Sequence, residues 1–472
     1  MLLSRLLSDV EVLSPFFDRE IADITDSTEK IRKNSAFVCV KGMHKDGHSF
    51  ASEAVSSGAA AIIAEHDVNS PLQVIVKDSR KAYAVMCKNF FSSACESLSI
   101  IGVTGTNGKT SVSFIIRDIL KTLGVECGLI GTVENAVGKN EYPSKLTTPD
   151  AYEIHRLFSL MKKENIKYCA VEASSQALHQ KRLYGVNFDV GVFTNFTEDH
   201  LDYHKTAEEY LRCKKLLFKN TKTAVLNADD AASAEIAEGL NLNKITYGKK
   251  DADFKAENLK LFSNRVEYTV GGFPVIFNTP GEFSLYNSLA AVAAVTALGF
   301  ELSKVTDAVK YAGAVKGRFE TVKTDRDFSI IIDYAHTPDG LKKAISTAKA
   351  ITKGRVITVF GCGGDRDSLK RPKMGSAASN LSDAVVITSD NPRTEEPQKI
   401  IADILKGVDP DSAEIHVIED RYEAIEYAVL NARAGDTVLI AGKGHETYQI
   451  KGKEKIHFDE REIVESILKK GV

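Results

Sequence analysis

No charge of either sign dominates this chain, no Cys-x-x-Cys pair occurs in it, and no apolar run is long enough to cross a bilayer. Each absence removes a class of function. Formal net charge is -3, so there is no broad basic field to gather nucleic acid or an anionic membrane, and anion sites must be built residue by residue. The seven cysteines, Cys39, Cys87, Cys95, Cys127, Cys169, Cys213 and Cys362, are odd in number and scattered. That argues against a disulfide framework or a thiolate metal site and fits reduced packing residues. The longest apolar stretch, LAAVAAVTALGF at 289–300, falls short of the ~20 residues of a membrane span and reads as a buried helix. The opening MLLSRLLSDVEVLS is apolar at helical spacing but carries Asp9 and Glu11 without a small-residue cleavage site. It does not read as a signal peptide, and a cytoplasmic protein is expected. Neither a short repeat nor a low-complexity tract appears.

What is present is the composition of a globular protein. With 43% hydrophobic and 26% charged residues, the chain can bury large cores beneath a soluble surface. Its 472 residues, at roughly 150 per domain, predict three domains. Residues 1–97 hold short β-type runs, AFVCV at 36–40, AAIIA at 60–64 and LQVIV at 72–76, separated by polar turns. They predict a small mixed α/β domain. Over 98–321, the strand SIIGVT (99–104) enters a glycine loop and then a helix with apolar positions 112, 115, 116, 119, 120 and 123, which Gly124 can end. Strands at 168–172, 188–193 and 223–226 carry polar clusters past their C-terminal ends, the edge where open α/β sheets bind ligands. Over 322–472, FSIIID, RVITVFG, DAVVITSD and TVLIAG alternate with helical patterns. The expected fold class is α/β in three domains: small mixed α/β, central P-loop ATPase-type parallel sheet, and C-terminal Rossmann-like doubly wound sheet.

The strongest local signal is Gly105-Thr106-Asn107-Gly108-Lys109-Thr110, followed by Ser111, between strand and helix. Glycines let backbone N–H groups approach phosphate, the helix N-terminus adds positive potential, Lys109 reaches the outer phosphates, and the Thr110 hydroxyl suits Mg²⁺. The usual glycine five residues before Gly108 is replaced by Val103, so the loop is a variant. Next come Glu172-Ala173-Ser174-Ser175, Thr194-Asn195, and Asp199-His200-Leu201-Asp202-Tyr203-His204. The i, i+4 spacing of His200 and His204 suits either a zinc pair or two hydrogen-bonded surface histidines. ATP chemistry favours hard oxygen ligands on Mg²⁺ over zinc.

In order along the chain, GTNGKT, EASS, TNFTEDHLDYH, GEFSLYNSLAA (281–291), GRFE (317–320) and DYAHTPDG (333–340) resemble the Mur ligases. GCGGDRD (361–367), KRP (370–372), DNPRTEEP (390–397) and AGKGHE (441–446) resemble the branch that adds the third residue of the peptide. The resemblance implies that ATP phosphorylates the D-glutamate carboxylate of UDP-N-acetylmuramoyl-L-alanyl-D-glutamate (UDP-MurNAc-dipeptide), after which an amino acid's amine displaces phosphate. A carboxylate is a poor electrophile, so its oxygen must leave as phosphate, and the crowded negative charge needs Lys109 and Mg²⁺. By the same resemblance, Thr110, Glu172 and His200 place metal. Asn287, Arg318 and Asp333 handle ATP, with His336 on the adjoining loop. Lys214 matches a lysine that the family carbamylates with CO₂, exchanging an ammonium that repels Mg²⁺ for anionic oxygens. Composition alone would make Lys214-Lys215 a solvated helix face. The nucleotide-sugar positions are Thr25, Ser27, His44, Lys45, Thr147, Thr148, Ser174, Gln180 and Arg182, whose hydroxyls, amide and guanidinium suit phosphate, sugar and carboxylate. Two positions depart from the family pattern, Thr28 after Asp26-Ser27 and Leu146 before the paired threonines.

Asp390-Asn391-Pro392-Arg393 resembles the loop of relatives that add meso-diaminopimelate rather than lysine. Diaminopimelate carries a second carboxylate, which a forked guanidinium pairs with bidentately, whereas lysine leaves Arg393 unpartnered. Arg366 is the matching second arginine, and Gly442 and Glu446 receive the distal ammonium. The alternatives are the same ligation with L-lysine, or a P-loop nucleotide switch without ligase activity. The expected partners are small molecules only, with no nucleic acid or membrane, and a monomer is expected.

Overall fold

Three sheets of largely parallel strands organise the computed structural model, which describes residues 1–42 and 45–470. The first sheet orders Asp23–Thr25, Ser35–Val38, Ala59–Ala64 and Gln73–Ile75, every pair parallel. The apolar opening segment forms a single helical turn, Leu3–Leu6, whose leucines drop into this layer's core.

The central sheet runs Phe254–Lys255, Asn243–Gly248, Thr221–Asn227, Phe188–Phe193, Ser99–Thr104, Tyr168–Glu172 and Cys127–Ile130 in parallel. It ends in an antiparallel hairpin, Glu134–Val137 and Asn140–Pro143. Ser99–Thr104 therefore lies mid-sheet, with the ends of Phe188–Phe193 and Tyr168–Glu172 on either side. Helix Lys109–Thr122 buries Val112, Ile115, Ile116, Ile119 and Leu120 against the sheet. At about 1.5–3 kcal/mol per side chain, that stripe anchors the helix more firmly than its propensity does. Gly124, at φ +79°, ends it. The Ala-rich run belongs to helix Glu282–Ala297, which is apolar on nearly every face and packs into the same core. All seven cysteines are free and buried.

The third sheet orders Glu320–Val322, Ser329–Asp333, Thr437–Ala441, Val356–Phe360, Ala384–Ile387 and Glu414–Val417. The last five are parallel; Glu320–Val322 is an antiparallel edge, so this sheet's pairing begins two residues ahead of 322. The C-terminal ends of its inner strands carry the loops at 333–340, 361–367, 388–393 and 441–446. Two small antiparallel sheets, Glu257–Phe277 and Tyr448–His457, attach to the central and third layers. No helix among the described residues is long and apolar enough to cross a membrane.

Candidate active site

The glycine loop is fixed from two sides. Thr106 N–H donates to Asn195 O at 2.9 Å, Asn107 N–H to Asn195 Oδ1 at 3.0 Å, and Thr194 Oγ1 to Asn107 O at 2.6 Å. Gly105 and Gly108 both have positive φ, and a Cβ would overlap Thr194 Oγ1 at the first and Asn287 Oδ1 at the second. Only glycine fits either place. Lys109 folds back and donates to Gly105 O and Thr106 O, both at 2.9 Å. Burial holds its ammonium below the ordinary lysine range, against the pull of Glu172.

Behind the loop, Glu172 is fully buried. It accepts from Thr110 Oγ1 at 2.9 Å, Thr132 Oγ1 at 2.9 Å and Thr132 N–H at 2.8 Å. Thr132 escaped the sequence reading because nothing in IGTVE marks it. A buried carboxylate beside a hydroxyl is a hard-oxygen pair of the kind that would suit Mg²⁺. Among the described residues no group of three or more His, Cys, Asp or Glu side chains could hold a metal ion. The two histidines at i, i+4 do not form a pair facing one ion. His204 Nε2 meets buried Ser175 Oγ at 2.9 Å, and burial lowers its pKa to about 4. His200 turns instead toward Asp199, at 3.5 Å.

Lys214 is 1% exposed, which overturns the solvated-face reading. Its Nζ lies 3.9 Å from the Tyr210 ring centroid, and among the described residues it makes no ion pair. Burial, then nearby Lys109, pushes its pKa well below the lysine value. Tyr210 OH reaches Thr106 Oγ1 at 3.4 Å, so the buried amine lies directly beneath the phosphate loop.

Across the cleft, Arg318 Nη2 donates to Thr110 Oγ1 at 3.0 Å and its guanidinium lies 4.4 Å from the Tyr334 ring centroid. Asn107, Gly108, Ser111, Asn287, Arg318, Asp333 and His336 line one cavity of about 780 Å³ between the central and third sheets. Asp333 accepts from Phe319 N–H at 2.6 Å and Ala335 N–H at 2.8 Å, so it also fixes the loop carrying His336. Burial lowers the His336 pKa to about 4, with Lys370 adding to the effect. Lys370 Nζ donates to His336 O at 2.9 Å.

A second cluster flanks the far side of Glu172. Thr148 Oγ1 donates to Glu172 O at 2.6 Å and accepts from Ser174 N–H at 3.0 Å. Arg182 Nη1 donates to Thr148 O at 2.7 Å and Nη2 to Gln180 Oε1 at 2.7 Å, while the Thr147 and Thr132 hydroxyl oxygens lie 3.1 Å apart. The first sheet abuts this cluster through Tyr152 OH to Asp23 Oδ1 at 2.9 Å and an ion pair of Lys181 with Asp78. Thr25 and Ser27 cap that sheet's nearby end in a shared turn, Ser27 N–H donating to Thr25 Oγ1 at 3.0 Å. Lys45 is exposed, and His44 lies outside the described residues.

In the third layer, Asn391 is buried. It donates to Glu446 Oε2 at 2.9 Å and accepts from Lys443 Nζ at 3.1 Å and Ile450 N–H at 2.9 Å. Lys443, fully buried and 3.0 Å from Glu446 Oε2, was inside a quoted motif but not singled out. Burial pushes the Asp390 carboxyl up, but Lys443 and Arg421 outweigh it and hold it low. A Cβ on Gly442 would come 2.8 Å from Asp390 Oδ2. Arg393, at φ +53°, is stitched to the neighbouring hairpin by its N–H to Ile450 O at 3.1 Å. Its Nη1 donates to Gly364 O at 2.7 Å, and among the described residues no carboxylate pairs with it. Pro392 is buried beneath it, and exposed Arg366 projects from the adjoining 361–367 loop.

A P-loop facing a second polar cluster on one sheet and a cationic loop on another defines an enzyme that activates one substrate with nucleotide and delivers another to it. Residues 103–295 match the Mur ligase middle domain and 317–444 the Mur ligase, glutamate ligase domain. The UDP-N-acetylmuramoyl-L-alanyl-D-glutamate--2,6-diaminopimelate ligase of Clostridium perfringens is 45% identical over 484 residues, covering 99% of each chain. Ligase 1 of that name in Clostridium acetobutylicum is 44% identical over 481 residues, again 99% of each. A solved structure of a UDP-N-acetylmuramoyl-L-alanyl-D-glutamate--2,6-diaminopimelate ligase superposes with a TM-score of 0.69 at 33% identity, covering 95% of both chains. The chain belongs to the Mur ligase family of ATP-dependent, amide-forming ligases.

Proposed function

We propose that this protein joins an amine of meso-2,6-diaminopimelate to the D-glutamate carboxylate of UDP-N-acetylmuramoyl-L-alanyl-D-glutamate, a step of peptidoglycan precursor synthesis. The observation that carries the choice of amino acid is Arg393, a guanidinium held by a backbone carbonyl and, among the described residues, left without a carboxylate. The second carboxylate of diaminopimelate is the partner it lacks, and lysine has none to offer. Arg366 stands close enough to share that charge. Gly442 leaves room for the distal ammonium beside Asp390, and among the described residues Glu446 keeps one oxygen free of hydrogen-bond partners for it.

Arg182, Gln180 and Ser174 orient the peptide, and Thr25, Ser27, His44, Lys45, Thr147 and Thr148 hold its nucleotide-sugar end. Lys109 exchanges its two loop carbonyls for the outer phosphates of ATP, while Asn287, Arg318 and Asp333 frame the nucleotide. Thr110, Glu172, His200 and carbamylated Lys214 would hold Mg²⁺, which when bound offsets charge on the phosphates. Lys214 suits carbamylation because a depressed pKa keeps its amine neutral. Nitrogen bonds to the carbon of CO₂, a proton leaves, and an anionic carbamate remains. In the ligation, a glutamate oxygen attacks the terminal phosphorus and ADP leaves. The amine then attacks the acyl carbon, phosphate leaves, and the nitrogen loses a proton to solvent.

The test offers diaminopimelate and lysine side by side to the unaltered enzyme and to Arg393→Ala. Preference for diaminopimelate that collapses in the variant supports the reading. Equal use of both by the unaltered enzyme overturns it.

A further inference from the structure

Around the start of the C-terminal helix Glu460–Lys470, three successive charged side chains reach two parts of the site. Asp459 pairs with Lys316 at 3.2 Å. Glu460 pairs with Arg421 at 2.7 Å, both side chains fully buried. Arg461 pairs with Glu320, whose other oxygen accepts from Gly317 N–H at 2.7 Å. Lys316, Gly317 and Glu320 belong to the linker that carries Arg318 to Thr110. Arg421 in turn donates to Ala441 O at 2.8 Å and Ser389 O at 3.3 Å, the strand ends from which both amino-acid loops spring. A Cβ on Gly317 would overlap the backbone of Gly444 and His445, so linker and loop already touch. Among the described residues, Glu460 Oε2 is buried without a hydrogen-bond partner. Retaining such a group costs stability, and a well-packed apolar pair would fold as well or better.

We infer that Asp459, Glu460 and Arg461, with Arg421, are positioning residues that brace the amino-acid loops against the arginine contacting the P-loop. The inference rests on the proposed ligation. One arm, Glu460–Arg421, fixes the 389–393 and 441–446 loops; the other, Asp459 and Arg461, fixes the linker. The incoming amine and the ATP-activated carboxylate meet only when both arms hold. Misplacement of about 1 Å at such a joint costs on the order of 10²-fold in rate.

The test is steady-state kinetics on Arg461→Met, Glu320→Gln, their double variant, Arg461→Lys and Glu460→Gln, with unfolding midpoints measured in parallel. Arg461→Met and Glu320→Gln should each lower kcat about 10-fold with KM for all three substrates within about twofold. The double variant should fall no further, because both singles remove one pair, and Arg461→Lys should recover most of the rate. Glu460→Gln should raise KM for diaminopimelate about 10-fold and leave KM for ATP unchanged. The inference is overturned if kcat is unaltered in Arg461→Met, or if every kinetic constant drifts in proportion to lost stability. Absence of any amide product from the unaltered enzyme would instead sink the ligation itself.

Discussion

Replacing Lys214 with methionine should make the protein more stable and nearly inactive. Lys214 is 1% exposed, its amine lies over the Tyr210 ring, and among the described residues it has no ion-pair partner. A buried amine whose nearest partner is a ring face costs about 1–3 kcal/mol, and methionine fills similar volume without it. Unfolding midpoints in urea, in CO₂-depleted buffer at pH 7, should therefore rise in Lys214→Met. The sign with pH is fixed by the depressed native pKa. Between that value and 10.5 the unfolded chain binds the extra proton, so native stability climbs with pH, at most about 1.4 kcal/mol per unit. The advantage of methionine should accordingly shrink between pH 7 and pH 10. Ligation, which on the proposed reading needs the carbamate, should fall at least about 10²-fold, and bicarbonate should stimulate the unaltered enzyme alone. A variant less stable at both pH values, or retaining a tenth of the activity, would refute the reasoning.

Arg393→Ala should cost about 10²-fold in kcat/KM with diaminopimelate and little with lysine, read from paired ligation assays. Glu172→Gln removes the charge but keeps the shape that receives Thr110 and Thr132, so kcat should drop about 10²-fold with little change in unfolding midpoint. Gly105→Ala places a methyl group on Thr194 Oγ1 at a positive φ, and calorimetry should detect no ADP binding. His155 and His445, with pKa values lowered by burial to about 3, and His204 and His336, to about 4, are neutral in the native state. The stability they lend above pH 6.5 is lost as pH falls through 4. Asp333 and Glu460, raised by burial, act in the opposite sense. A urea midpoint flat between pH 6.5 and 4.5 would contradict the histidine argument.

Most of the layered architecture was legible because strands covered on both faces are written as continuous apolar runs, such as Ile330–Ile332 and Val356–Phe360. Edge elements were not. Glu414–Val417 and the hairpins within 257–277 and 448–457 alternate or expose their side chains, and carry too little apolar signal to stand out from loops. The P-loop was legible because close phosphate approach restricts residue type to glycine. Thr132 was not, since a threonine earns its role only by where the chain places it. Lys214 shows the limit from the other side. A Lys-Lys pair on a helix reads as solvated, and only packing against Tyr210 makes one member a buried amine.

The measurement that bears most directly on the account is product stoichiometry. Purified protein given ATP, Mg²⁺, UDP-N-acetylmuramoyl-L-alanyl-D-glutamate and meso-diaminopimelate should release one ADP and one phosphate for each UDP-linked tripeptide, with no steady turnover of ATP when the amino acid or dipeptide is withheld. ADP released at the same rate without either acceptor, or no tripeptide formed, would contradict it.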